Sequence, residues 1–265
     1  MKLNQLTSPF GHINYWMLLL FLSVALVMNA CKVKDYATEA QAIDHIQWDS
    51  LLKAHVNNEG WVSYEGFVKD SVRLNAYLEL LSNHHPNPST WTREERMAYW
   101  INAYNAFTVK LIVDNYPVEG IKEIKNGIPF VNTVWDIKFI QIQGQKYDLN
   151  NIEHGILRPK FKDPRIHFAV NCASISCPKL LNEAFTAEKL DEQLNQAATA
   201  FINDPSRNVI EPNQLKLSKI FKWYGGDFTG GKKEYIQQFT NVEIAENAKV
   251  EYLEYDWGLN KVLNE

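Results

Sequence analysis

The sequence predicts an α+β fold: a single domain over residues 41–265 with a central buried helix, several surrounding helices and a small mixed or antiparallel sheet with hairpins. Three observations predict this class. A capped, almost wholly apolar segment lies at 92–115, two later segments alternate as hairpin strands do, and no linker divides the chain. With 265 residues, of which 46% are hydrophobic, the chain can bury a substantial core.

The first 30 residues predict a signal peptide of the lipoprotein type. Residues 15–28, "YWMLLLFLSVALVM", are apolar but fewer than the roughly twenty residues that span a bilayer. The run is typical of a secretory signal, and it ends at Ala30, directly before Cys31, which resembles a bacterial lipoprotein signal. We therefore expect a lipid on Cys31 and a polar tether over 31–40; an uncleaved membrane anchor is the alternative.

Export determines the expected location and partners. We expect the protein in the cell envelope, lipid-anchored to a bacterial membrane and facing the periplasm or the cell surface. Besides the membrane, the expected partner is a peptide or a cell-envelope ligand. The net charge of −4 gives no electrostatic signal for nucleic acid. The sequence predicts neither a cofactor nor a metal site.

The helices of the first half follow from apolar periodicity. This spacing predicts helices over 41–56 and 65–82, ahead of the central helix. The central helix begins with "TREE", in which Thr92 and Glu95 can form a capping box. Buried amides need hydrogen-bond partners. We therefore expect Asn102 and Asn105, three positions apart on this apolar helix, to bind the backbone of neighbouring segments; ligand binding by these asparagines is the alternative.

The second half predicts short elements. "KFIQIQGQKYDL" alternates around Gln143-Gly144 and predicts a hairpin, and Asn150 is the expected cap of a helix "NIEHGILR". The β-branched and aromatic content of "RIHFAV" predicts a buried strand. The remaining elements are a helix from near Thr186, a second hairpin at 208–217, a helical turn at 218–228, a helix near 232–240 and a closing strand at 249–260.

Four segments together resemble a known family. "AYWINAYNA", "IEHGILRP", "DPRIHFAVNCASISCP" and "YLEYDWGLN" are similar, in this order, to the signature blocks of the family called domain of unknown function 547, across most of residues 45–260. The resemblance implies no established activity. It does imply an exported or lipid-anchored protein, as many bacterial members are. Plant relatives frequently carry Ser or another residue at the position of Cys177, so the resemblance implies no universal catalytic thiol.

The pair Cys172 and Cys177 in "HFAVNCASISCP" supports one catalytic hypothesis. Cys172 is the candidate nucleophile of a thiol-dependent hydrolase or acyltransferase acting on peptide-like or cell-envelope material, with His154 or His167 as its base. On a regular strand, His167 and Cys172 would point to opposite faces. Either the strand ends between them, or His154 serves as the base.

The alternative is a non-catalytic binding module. In an oxidising envelope, the close pair Cys172 and Cys177 tends to be joined in a disulfide, and Trp223, Tyr224 and Trp257 would then provide a contact surface. The two histidines and two cysteines would also make a zinc-compatible set, although their spacing matches no standard zinc motif.

A polar cluster in "IEHGILR" completes the candidate site. His154 and Arg158 are four positions apart and share a helical face, whereas Glu153 is expected to point elsewhere. We expect His154 to face a pocket. We interpret Glu153 and Arg158 as a buried ion-pair network that holds the helix to the strand, with ligand binding as their alternative role.

We predict that Cys31→Ser releases the protein from membranes or leaves the precursor uncleaved, because lipidation requires the thiol of Cys31. Membrane fractionation and intact mass of the purified protein measure this. A variant that is processed and fractionates like the wild type would show that Cys31 is not the anchor.

Overall fold

The structure is a computed structural model that describes residues 33, 35–125 and 133–262. The predicted signal peptide and the predicted lipidation site, Cys31, lie outside these residues. Residues 35–40 of the predicted tether have no regular secondary structure. Two of them contact the domain: the Tyr36 hydroxyl donates to Gln145 Oε1 at 2.8 Å and the Thr38 hydroxyl donates to the carbonyl of His85 at 2.9 Å.

Helices form the first half of the domain. They are α1 (Ile46–His55), α2 (Tyr64–Lys69), α3 (Ser71–Asn83) and α4 (Arg93–Val113). The single helix predicted over 65–82 is divided in two at Asp70, and Ser63 caps α2 by accepting from the amide of Gly66. No helix in the described part of the chain is long and apolar enough to span a bilayer.

The predicted central helix is confirmed as α4. It begins with the capping box in which Thr92 accepts from the amide of Glu95 and the Glu95 carboxylate accepts from the amide of Thr92. Every side chain from Met97 to Val109 is buried, as expected for a helix that is apolar on all faces. It packs against α2, α3 and the helix Asn151–Phe161.

The buried amides of α4 connect the helix to two loops. Asn102 Nδ2 donates to the carbonyl of Phe185 at 2.7 Å, and the amide of Phe185 donates back at 3.1 Å. Asn105 Nδ2 donates to the carbonyl of Ala169 at 3.0 Å and its Oδ1 accepts from the amide of Asn171 at 2.8 Å. Each asparagine therefore both donates a hydrogen bond to backbone and accepts one from it.

The first predicted hairpin is confirmed. Strands β1 (Ile140–Ile142) and β2 (Gln145–Tyr147) pair in antiparallel fashion, with Ile140 opposite Tyr147. The two turn residues, Gln143 and Gly144, have φ of 45° and 75°. Two successive positive φ angles give the turn a twist that matches that of the strands.

The segment after this hairpin differs from its prediction. A π-helix spans Asn151–Phe161, and Asn150 does not cap it, because its side chain donates instead to Asp136 at 2.6 Å. The prediction of a strand over "RIHFAV" is wrong, because Pro164–Phe168 is a 3₁₀ helix. Its first turn has a proline, and Asp163 accepts from the amide of Arg165. The apolar residues of this segment reflect burial, not strand pairing.

The last third contains helices and a mixed sheet. Helix α5 (Leu190–Ile202) begins four residues after its predicted start at Thr186. The other elements are β3 (Val209–Glu211), β4 (Gln214–Leu217), α6 (Ile220–Trp223), α7 (Lys232–Gln237) and β5 (Lys249–Tyr252). Strands β3 and β4 form the second predicted hairpin, and β5 pairs in parallel with β4. The α+β prediction is therefore confirmed.

Buried side chains form two clusters. The larger cluster contains α1 to α4 and the apolar residues of the π-helix. The smaller one packs α5, α6 and α7 on the mixed sheet, around a group of aromatic rings centred on Phe168. The 3₁₀ helix joins them, since Ile166 belongs to the larger cluster and Phe168 to the smaller.

We predict that Asn105→Leu lowers the free energy of unfolding by about 1–3 kcal/mol, because the carbonyl of Ala169 and the amide of Asn171 lose their partner inside the protein. Asn75→Leu, on the exposed face of α3, is the matched control and should change stability by less than about 0.5 kcal/mol. Urea unfolding followed by circular dichroism measures both. Equal midpoints for the two variants would contradict a stabilising role for Asn105.

Candidate functional site

A cavity of about 480 Å³ is lined by residues from both core clusters. Helix α4 contributes Tyr104, and the π-helix contributes Glu153 and His154. The 3₁₀ helix and the loop that follows contribute His167, Val170, Cys172 and Cys177. The segments around α6 and after β5 contribute Trp223, Tyr224, Tyr255 and Trp257. We call this space the aromatic cavity.

One side of the cavity is a continuous aromatic wall, formed by Trp135, Trp223, Tyr255 and Trp257. Ring centroids lie 4.5 Å apart for Tyr255 and Trp257, 4.8 Å for Trp223 and Tyr255, and 5.5 Å for Trp135 and Trp257. Trp223 is 46% exposed, which leaves a large apolar surface open to solvent. Lys122 Nζ lies 3.5 Å from the Trp257 ring centroid as a cation–π contact. All three aromatics expected to form a contact surface, Trp223, Tyr224 and Trp257, line this cavity.

Asp227 is the centre of a charged network beside the cavity. Its carboxylate accepts from Arg158 Nε and Nη2 at 2.6 and 2.8 Å, and from His167 Nε2 at 2.8 Å. The pKa of Asp227 is lowered, first by the hydrogen bond from His167 and then by those from Arg158. The pKa of Arg158 is raised by the same carboxylate. Asp227 is therefore ionised and holds the π-helix to the 3₁₀ helix.

The hydrogen bonds of His154 determine its tautomer. Arg158 Nη1 lies 3.0 Å from His154 Nδ1, and a guanidinium can only donate. Nδ1 is therefore the acceptor, and the proton of the neutral imidazole lies on Nε2. His154 is half-buried on the cavity, so Nε2–H is available to donate to a ligand.

His167 is held rigidly. Its side chain is fully buried, its ring stacks on Tyr224 with centroids 3.9 Å apart, and Nε2 bonds to Asp227. The other nitrogen, Nδ1, has no hydrogen-bond partner among the described residues, and Glu153 Oε1 lies 3.9 Å away. The imidazole therefore has one nitrogen fixed by a carboxylate and one that is free on the side of Glu153.

Glu153 lines the same cavity as His154, whereas the prediction had it point elsewhere. It is 5% exposed and lies close to the phenols of Tyr104 and Tyr224, whose pKa values are raised by burial and further by this carboxylate. The prediction assumed α-helical rotation between Glu153 and His154. The wider turns of a π-helix separate adjacent side chains by a smaller angle, and both residues line the cavity.

Cys172 and Cys177 are joined in a disulfide, with Cα atoms 6.2 Å apart. Among the described residues, neither His154 nor His167 lies within hydrogen-bonding distance of either sulfur. The sulfurs contact Tyr255 and Ser174 instead: the Tyr255 hydroxyl is 3.2 Å from Cys177 Sγ, and the Ser174 hydroxyl is 3.3 Å from Cys172 Sγ. A thiol nucleophile paired with an imidazole is not assembled in this state.

The disulfide also excludes the zinc-compatible set in this state, since zinc binds thiolate sulfur. The described residues contain no group of three or more His, Cys, Asp or Glu side chains arranged to hold a metal ion.

The structure adds site residues that the sequence analysis did not identify. Asp227 follows two glycines and is 60 residues from its partner His167, so no local pattern connects them. Tyr104 belongs to an apolar helix, so its sequence context predicts a core residue and not a site residue. The position of Trp135 and Tyr255 on the cavity depends on tertiary packing. Asn102 and Asn105, in contrast, bind backbone and do not line the aromatic cavity.

Residues 88–202 match the model of the family described as Protein of unknown function, DUF547. The family resemblance predicted from the sequence segments is confirmed over this range, which contains both cavity histidines and both cysteines. Asp227 and most of the aromatic wall lie beyond it. No curated protein and no solved structure matches the chain.

We predict that Asp227→Asn destabilises the protein by about 2 kcal/mol at neutral pH, because it removes the charge that His167 and Arg158 bind. The folded-state pKa of Asp227 lies below its ordinary value of 3.8. Its contribution is therefore complete above about pH 4, and the difference from the wild type should shrink as the pH falls further.

Urea unfolding at pH 7 and at pH 3 measures this difference. The matched control is Asp191→Asn, since Asp191 also binds an arginine but is 81% exposed and should change stability by less than about 0.5 kcal/mol. A difference between Asp227→Asn and the wild type that does not depend on pH would contradict the proposed charge interaction.

Proposed function

We propose that this chain, whose residues 88–202 match the model of the family DUF547, is an envelope-anchored lipoprotein that binds a peptide-like or cell-envelope ligand in the aromatic cavity. The observation that carries the proposal is the combination of a cavity of about 480 Å³, an aromatic wall and a few fixed polar groups. Sites for small organic ligands have this size and composition.

The polar groups of the cavity suit an amide. A peptide bond has one donor and one acceptor. The buried Glu153 carboxylate accepts, and the Nε2–H of His154 donates, since Arg158 occupies the Nδ1 of that ring. N-acetylated sugars and peptides of the cell envelope both carry amide groups, which is why this ligand class is favoured.

The aromatic wall provides the apolar part of the binding energy. Aromatic contacts contribute about 0.5–1.5 kcal/mol each beyond the area that they bury. Trp223 is the ring with the most exposed surface, at 46%, and it packs against Tyr255 and Trp257, which hold it in place. A ligand with a flat apolar face would cover this surface.

The second candidate is a thiol-dependent hydrolase or acyltransferase. It is favoured by one observation: Cys172 lines the same cavity as His154 and His167. It requires a reduced Cys172 and an imidazole that approaches its sulfur. The disulfide and the contacts of Cys172 with Ser174 and Tyr255 support the binding function instead.

We predict that the full chain in detergent binds N-acetylmuramyl-L-alanyl-D-isoglutamine, a soluble envelope fragment with both a sugar and a peptide part. Trp223→Ala should weaken binding by about tenfold or more, because it removes an exposed ring of the wall. Glu153→Gln should weaken it through the loss of a buried carboxylate acceptor. Isothermal titration calorimetry measures the Kd of each protein.

Trp61→Ala is the matched control, since Trp61 is a partly exposed tryptophan outside the aromatic cavity, and its Kd should equal that of the wild type. No binding by the wild type, or equal losses in Trp223→Ala and Trp61→Ala, would contradict the proposed function. Release of a hydrolysis product from this fragment would favour the enzyme.

A further inference from the structure

We propose that the Cys172–Cys177 disulfide is a thiol–disulfide exchange centre, in which a thiol compound that enters the aromatic cavity attacks Cys172 and Cys177 is the leaving group. This activity goes beyond ligand binding and does not depend on it. It assigns different roles to the two sulfurs, and the two sulfurs have different surroundings.

Access favours attack on Cys172. Both cysteines line the cavity, but Cys172 is half-buried whereas Cys177 is only 4% exposed. Exchange requires direct contact between the entering thiolate and the attacked sulfur. An entering thiol therefore meets Cys172.

Hydrogen bonds favour departure of Cys177. Its sulfur accepts from the backbone amide of Cys172 at 3.0 Å and from the Tyr255 hydroxyl at 3.2 Å. Cys172 Sγ lies 3.3 Å from the Ser174 hydroxyl and 3.4 Å from the Tyr255 hydroxyl. The Ser174 hydroxyl donates to the Tyr255 oxygen, however, so the phenol proton is directed to Cys177. Donors to sulfur stabilise a thiolate and so lower the pKa of the thiol, and a leaving thiol of lower pKa leaves faster. Burial raises the pKa of Tyr255 to about 12, so this phenol keeps its proton and remains a donor at neutral pH.

A cation lies on the same side of the disulfide. Arg207 Nε donates to the carbonyl of Cys177 at 3.1 Å, which keeps its positive charge close to this residue. A neighbouring guanidinium lowers the pKa of a cysteine. The amide, the phenol and the guanidinium each favour a thiolate at Cys177, whereas burial by itself disfavours it.

The loop is held by contacts that do not involve the sulfurs. The amide of Ile175 donates to the carbonyl of Gly258 at 2.8 Å, and Asn171 Nδ2 donates to the carbonyl of Pro178 at 2.7 Å. Asn105 fixes the amide of Asn171 from the other side. Opening the disulfide therefore leaves both cysteines in place for closure.

The exchange takes place in two steps, in each of which one S–S bond forms and one breaks. The thiolate of an external thiol attacks Cys172 Sγ, a mixed disulfide forms, the Cys172–Cys177 bond breaks, and its electron pair stays on Cys177 as a thiolate. A second thiol then attacks the sulfur of the first, which releases Cys172 as a thiolate. Two thiols are oxidised to one disulfide while the protein disulfide is reduced to two thiols; the reverse reaction reduces a bound disulfide.

The roles of the two sulfurs are tested with oxidised glutathione and with variants of the full chain that keep only one of the two loop cysteines. Cys177→Ser keeps Cys172 and should form the glutathione mixed disulfide at least about tenfold faster than Cys172→Ser, as followed by intact mass. Circular dichroism verifies that both variants are folded. Equal rates, or a faster Cys172→Ser, would overturn the assignment of the attacked sulfur.

The leaving-group contact is tested on the native disulfide with dithiothreitol, followed by iodoacetamide labelling of the released thiols. Tyr255→Phe should slow the release by about tenfold. Tyr235→Phe is the matched control, because the buried Tyr235 hydroxyl has no hydrogen-bond partner among the described residues, and it should react like the wild type.

Two results of this second experiment would overturn the proposal. One is release at the wild-type rate by Tyr255→Phe. The other is reduction of the wild-type disulfide only after urea unfolds the protein, which would make it a purely structural bond. Neither measurement uses the muramyl fragment, so both are independent of the proposed binding function.

Discussion

The two hydrogen bonds between Asn105 and the backbone of residues 169–171 are the constraint on which the site depends. Inside a helix that is apolar on all faces, an amide without partners would cost about 1–3 kcal/mol, so this loop stabilises the helix by satisfying Asn105. The same two bonds set where the chain leaves the 3₁₀ helix and where the cysteine loop begins. This buried contact therefore links the central helix to the loop that carries the cavity cysteines.

Asp227 also connects distant segments of the site, through hydrogen bonds between charged groups. It lies between Arg158 and His167 and so connects three segments that are distant in sequence. By occupying His167 Nε2 it leaves the other ring nitrogen free, and by holding Arg158 it positions the guanidinium that fixes the tautomer of His154. One carboxylate thus determines the hydrogen-bonding character of both cavity histidines, although it does not itself line the aromatic cavity.

Local signals in the sequence predicted the parts of the fold that local interactions determine. The capping box at Thr92, the apolar helix and the Gln143-Gly144 hairpin each follow from residues a few positions apart. The apolar segment "RIHFAV" was wrongly predicted as a strand, because burial alone does not distinguish a strand from a short helix. The π-helix, the partner of Asp227 and the assembly of the aromatic wall depend on contacts between distant segments, so no local pattern encodes them.

The position of the disulfide is not explained by stability alone. A loop as short as the one between Cys172 and Cys177 gains only roughly 2–3 kcal/mol from chain entropy when it is closed. Bonds from Asn171 and Ile175 to neighbouring backbone already hold this loop. The disulfide is therefore partly redundant as a structural restraint. The disulfide lies on the cavity wall, and a backbone amide donates to Cys177 Sγ in addition to the hydroxyl of Tyr255. This position is better explained by what the disulfide presents to a molecule in the cavity.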